Sequence, residues 1–176
     1  MMSDFIKQIL LEANKSLLSQ YDIKVIMNYV DAHKVSNELL NITVPDNLKY
    51  SGVVRRLIKV TNTQLKEVLN GGVINNSKRS WASYSKTMKG LTEFYYNATT
   101  DLEGYDKCSI VIITKMQKKD CIIDVERFAK LYPKLFTGSF SNFMNEAEVI
   151  GKNLVPQITL KDLDAYCIKG KFTTVK

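Results

Sequence analysis

Two glutamates flank one alanine late in this 176-residue chain, Glu146-Ala147-Glu148. Val149-Ile150 follows them, and the aromatic, Asn-rich stretch Phe140-Ser141-Asn142-Phe143-Met144-Asn145 comes before. In an extended segment both side chains would point to one face, about 7 Å apart along the strand. Two carboxylates would then share one site. E-x-E also occurs on many solvated strands, so the pair gains its meaning from its company. An Arg pair, Arg55-Arg56, lies upstream, and Ser80-Trp81-Ala82-Ser83-Tyr84-Ser85 falls between.

The elements that must position these residues can be read from periodicity and punctuation. Gly52 to Val60 reads as a strand, so Arg55 and Arg56 point to opposite faces and only one can serve a given site. Thr61-Asn62-Thr63-Gln64 fits a capping box that opens a helix through Leu69, and Asn70-Gly71-Gly72 stops it. Ser80 to Ser85 leads into a helix with Met88, Leu91 and Phe94 or Tyr95 on one side. Cys108 to Thr114 and Cys121 to Val125 are apolar, β-branched strands joined through the solvated turn Lys115 to Lys119. A short helix with Val125, Phe128, Ala129 and Leu131 ends near Pro133. Glu146 to Ile150 and about Ala165 to Lys169 supply the last strands.

Helices come first. Residues 3 to 20 carry Phe5, Ile9, Leu10, Ala13, Leu17 and Leu18 at helical spacing behind a Ser3 cap. A second helix is expected from about Asp22 to Leu40, with Ile23, Ile26, Met27 and Val30 on one face, before the turn at Pro45-Asp46-Asn47. These helices either brace the core or recognise a target. Strand-rich segments with interspersed helices and no regular βαβ alternation define an α+β class.

The length suits a single domain over residues 1–176, with a helical region over 1–43 and a core over 44–176. With 45% hydrophobic and 24% charged residues the balance is that of a soluble globular protein. No apolar run nears a membrane span, and the start of the chain lacks the pattern of a secretory leader, so a cytoplasmic location is expected. Cys108, Cys121 and Cys167 have neither the number nor the spacing of a disulfide framework or a zinc site. His33 is the single histidine, which disfavours His-based metal ligation and a Ser-His-Asp triad and leaves a surface or capping role. No metal is expected. There is no G-x-G-x-x-G and no P-loop pattern, so a nucleotide would have to bind by another architecture. The net charge of +7 favours acidic partners or nucleic acid and says nothing of the fold.

The order Arg, Ser-x-Ser, E-x-E resembles the R-S-E class of mono-ADP-ribosyltransferases, over roughly residues 44 to 170. The resemblance implies an ADP-ribosyltransferase-like core: two small β-sheets packed at a steep angle, flanking helices, and NAD in the cleft as substrate. It gives Glu148 the catalytic role, bonding the ribose 2′-hydroxyl and stabilising the oxocarbenium-like transition state. Glu146 would orient and deprotonate the acceptor, and E-x-E in place of Q-x-E goes with arginine acceptors. Either Arg55 or Arg56 would hold the diphosphate through its planar, permanently charged fork, and the distance to the next helix cap slightly favours Arg56. Ser83-Tyr84-Ser85 matches the Ser-Thr-Ser position, with Ser83 beside Glu148 and the nicotinamide ribose, and Tyr84 in place of the usual small Thr. Phe94 either faces the nicotinamide ring or belongs to the buried side of its helix. Phe140 or Phe143 either contacts the target or fills the core.

The chain resembles the small phage enzymes of this class, which modify host transcription or translation proteins. The implied partners are therefore NAD, or an NAD-capped RNA, and a target protein with an accessible arginine, met by a monomer. Two other readings stay open. One is a non-enzymatic basic protein that binds nucleic acid or an acidic host protein. The other is an NAD glycohydrolase on the same fold, with water as acceptor.

Overall fold

The computed structural model describes residues 18–98, 108–138 and 143–175, so residues 3–17 of the first expected helix and Phe140 lie outside the described residues. Helix α1 (Gln20–Ala32) opens with a capping box: Ser19 Oγ accepts from Asp22 N–H, and Asp22 Oδ2 accepts from Ser19 N–H, each at 3.0 Å. It stops at His33, a left-handed cap residue with φ 51°. The single helix expected from Asp22 to Leu40 is thus two, because Ser36 caps a separate short helix α2 (Asn37–Asn41) by accepting from Leu39 N–H at 3.2 Å. His33 does take the exposed capping position expected of it.

Strand β1 (Gly52–Lys59) is followed by α3 (Asn62–Leu69), whose Thr61–Gln64 capping box forms in both directions. After β2 (Ile74–Asn75) come β3 (Trp81–Ser85) and α4 (Met88–Ala98). Strands β4 (Cys108–Met116) and β5 (Cys121–Asp124) lead into α5 (Val125–Leu131). The short turn of helix α6 (Phe143–Glu146) precedes β6 (Glu148–Lys152), β7 (Gln157–Ile158), β8 (Leu163–Ile168) and β9 (Lys171–Thr174). No described helix is long and apolar enough to cross a membrane.

The class is α+β, and the sheets are unequal: a seven-stranded antiparallel sheet in the order β5-β6-β3-β1-β4-β8-β9, and a two-stranded β2-β7 ribbon. The large sheet has a seam. β1 pairs with β4 along its whole length, and β3 with β6 along its whole length, yet β1 and β3 share the one register pair Arg55–Ser85. Two half-sheets, β5-β6-β3 and β1-β4-β8-β9, therefore meet at a point.

Both halves bury the face on which Arg55 and Ser85 lie. On the β5-β6 side, Ile123 and Ile150 pack with Val25, Ile26 and Val30 of α1 and Phe128 of α5. On the β1-β4-β8 side, Leu57, Val111 and Ala165 pack under Leu91 and Tyr95 of α4. The opposite face carries α3, with Leu65 and Val68 against Ile110 and Ile112. The seam thus runs between two helix-covered clusters, and each anchors one side of whatever lies along it.

Candidate active site

Glu148 opens β6, and its backbone position is set from several directions. Glu146 ends α6, Ala147 has φ 50°, and only then does the strand begin. The expected strand Glu146 to Ile150 is corrected on this point: the left-handed alanine turns the chain between the two glutamates, so extended alternation does not relate them. Ala147 O accepts from Lys86 N–H at 3.0 Å, and Glu146 O accepts from Ser85 Oγ at 2.7 Å. Gly90 of α4 lies so close that a β-carbon there would meet the Glu146 carbonyl, and would stand 2.6 Å from Ser85 Oγ. Glycine is required here by close approach.

Glu148 is 6% exposed. Its Oε1 accepts from the Tyr29 hydroxyl at 2.7 Å and from Ser83 Oγ at 2.5 Å. Its Oε2 is buried and accepts no hydrogen bond from the described residues. Burial pushes the Glu148 carboxyl above the usual carboxylate range, opposed by the Ser83 and Tyr29 hydrogen bonds and the nearby His33. Burial, followed by the charge of Glu148, holds the Tyr29 hydroxyl well above the ordinary tyrosine range.

In register, Glu148 stands opposite Ser85, and Ser85 opposite Arg55. Directly opposed residues share a face, so these three form a row across β6, β3 and β1, with Ser83 diagonal to Glu148. Arg55 Nε donates to Asp164 Oδ2 of β8 at 2.8 Å, and both side chains are 23% exposed. Arg56 points the other way, as its neighbours Val54 and Ile58 do, and its charge is felt by Tyr84. The helix-cap distance favoured Arg56, and the register instead puts Arg55 in the row.

Tyr84 leaves the row uncrowded. It fills the opposite face with Val54, Ala82 and Met116, donates to Lys152 O at 3.0 Å and accepts from Leu154 N–H at 2.9 Å. Phe94 is half-buried against the cluster beneath α4, and Tyr95 is the residue fully enclosed there. Glu146 is half-buried, and its charge reaches the Tyr29 hydroxyl. The Phe143 side chain lies outside the described residues.

Two features escaped the motif reading. Tyr29 comes from the helical region and sits 119 residues from Glu148 in the chain. The signal was present: a tyrosine between Ile26 and Val30 on an apolar helix face buries a hydroxyl that needs a partner. Lys86, next after Ser85, bonds both oxygens of fully buried Asp124 at 2.9 Å and also meets Glu126. Arg127 adds a 3.2 Å contact to Asp124, so the β3 end is tied to the β5–α5 junction.

The arrangement presents a desolvated carboxylate with one oxygen held and one unengaged, and a guanidinium on the same row. A desolvated carboxylate is a strong hydrogen-bond acceptor and favours a neighbouring positive charge. Compared with known proteins, the chain matches no family model, and no curated protein matches it.

Proposed function

We propose that this protein is an NAD-dependent mono-ADP-ribosyltransferase that transfers ADP-ribose to an arginine of a target protein and releases nicotinamide. The observation that carries the reading is Glu148: Oε1 engaged by Ser83 of the Ser-x-Ser motif, Oε2 buried without a hydrogen-bond partner among the described residues, in one row with Ser85 and Arg55. The resemblance implies two small packed sheets, whereas the structure has one seven-stranded sheet that narrows to the single pair Arg55–Ser85, and in this reading the substrate lies along that narrowing.

In this reading Arg55 grips the diphosphate, which competes with Asp164 for the guanidinium fork. Glu148 Oε2 accepts from the ribose 2′-hydroxyl, and its charge offsets the cation that forms as the bond from ribose C1′ to the nicotinamide nitrogen breaks. The electron pair leaves with nicotinamide. A guanidinium nitrogen of the target then bonds C1′, and Glu146 takes its proton. Ser83 keeps Glu148 in place, and Phe94, on α4 of the same face, lines the nicotinamide side. The targets fitting a small basic enzyme of this kind are host transcription or translation proteins with an exposed arginine, reached in the cytoplasm, with NAD-capped RNA as an alternative donor.

The test is mass spectrometry of bacterial lysate and of polyarginine after incubation with NAD and the protein. ADP-ribose on arginine side chains, absent with Glu148→Gln, is the expected result. Nicotinamide release with no adduct would move the assignment to a glycohydrolase, and no turnover of NAD would leave a basic binding protein.

A further inference from the structure

Of the two hydroxyls that donate to Glu148, the one outside all three motifs is also the more deeply placed. Tyr29 is buried, and its hydroxyl lies 2.7 Å from Oε1. Ser83, the other donor, stands on the exposed floor of the site. A serine hydroxyl at the surface exchanges partners with water, whereas a tyrosine in a packed helix has two torsions and both are constrained. Helix α1 is held down by Val25, Ile26 and Val30 against Phe128 and Ile150, so it delivers the Tyr29 hydroxyl to a set position.

We propose that Tyr29 is a positioning residue for Glu148: its hydroxyl holds Oε1, keeps the carboxylate in its charged form and leaves Oε2 to the substrate. Helix α1 is then one wall of the active site. This rests on the reading of Glu148 as the catalytic carboxylate. The groups facing the pair are Tyr29 and His33 from α1, Ser83 from β3 and Glu146 from the turn before β6. Of these, Tyr29 and Ser83 donate directly to the carboxylate. Tyr29 keeps its proton well above the ordinary tyrosine range, so it stays a donor through the neutral range in which Glu148 must be ionised. A residue needed for packing alone would serve equally well as phenylalanine.

The experiment is a carboxyl-carbon NMR titration of Glu148 in the full chain, assigned with Glu148→Gln, for wild type, Tyr29→Phe and Ile26→Val. It is paired with the pH profile of nicotinamide release. In Tyr29→Phe the Glu148 midpoint should move to higher pH. The acid limb of kcat/KM should move with it, and kcat should fall roughly ten- to a hundredfold, as for a lost hydrogen bond to a charged group. Ile26→Val trims the same helix face and should lower Tm while leaving the midpoint in place. An unmoved midpoint in folded Tyr29→Phe overturns the proposal, as does an equal shift in Ile26→Val. If wild type releases no nicotinamide, the transferase reading falls, and the NMR titration alone still decides whether Tyr29 controls the ionisation of Glu148.

Discussion

Arg55 and Ser85 face each other as the one register pair between β1 and β3, and Glu148 faces Ser85 from β6. One residue from each of three motifs, far apart in the chain, thus lies on one line at the point where two half-sheets meet. Packed helices flank that line on both sides, and Ser85 and Glu148 are buried along it.

The two arginines should separate in kinetics. Arg55→Lys keeps the charge and loses the fork, so KM for NAD should rise about tenfold with a smaller change in kcat. Arg56→Lys, on the other face, should leave KM unchanged. Steady-state kinetics of nicotinamide release compares the two, and the opposite ranking would return the diphosphate to Arg56.

Glu148→Gln should fold and lose about a hundred- to a thousandfold in turnover. Its stability should also depend on pH in a defined sense. The folded-state pKa of Glu148 is raised by burial, so the cost of the buried charge is absent below the usual carboxylate range. It is present in full above the raised folded value. Urea melts across that window should show wild type losing ground to Glu148→Gln as pH rises. In wild type, the rate should fall as pH drops through the same raised value, where the carboxylate takes up its proton.

Gly90→Ala should disturb the site from outside it. The new methyl would press on the Glu146 carbonyl and Ser85 Oγ, an overpacking that costs about 1–3 kcal/mol. Thermal melts should show the loss, and activity should drop because the turn carrying Glu146, Ala147 and Glu148 moves.

Lys86→Met removes the bidentate partner of fully buried Asp124. Breaking a buried pair from one side should destabilise the fold by about 3 kcal/mol. The urea midpoint measures it, and an unchanged midpoint would mean that Arg127 alone satisfies Asp124.

Much of the fold could be read from local rules, because local chemistry decides those parts. The Thr61–Gln64 capping box, the β3 to α4 transition and the strands around Cys108 and Cys121 follow from spacing and cap residues. What could not be read depends on tertiary contacts. A left-handed conformation at Ala147 has no propensity signal, since alanine favours a right-handed helix, and it turns Glu146 out of the strand that an extended reading gave it. Which arginine joins the row follows from the pairing of Arg55 with Ser85, a register set across the seam. The short partners β2 and β7, and edge strand β9, carry too few residues to show a period. Tyr29 reads as one more core residue until Glu148 is seen beside it.

The most direct test is nicotinamide release from NAD by the purified protein and its Glu148→Gln variant, with and without bacterial lysate, and with circular dichroism on both. The account predicts release by wild type that lysate accelerates and that a folded Glu148→Gln loses about a hundredfold or more. Equal release by the two proteins, or none from wild type in either condition, would contradict it.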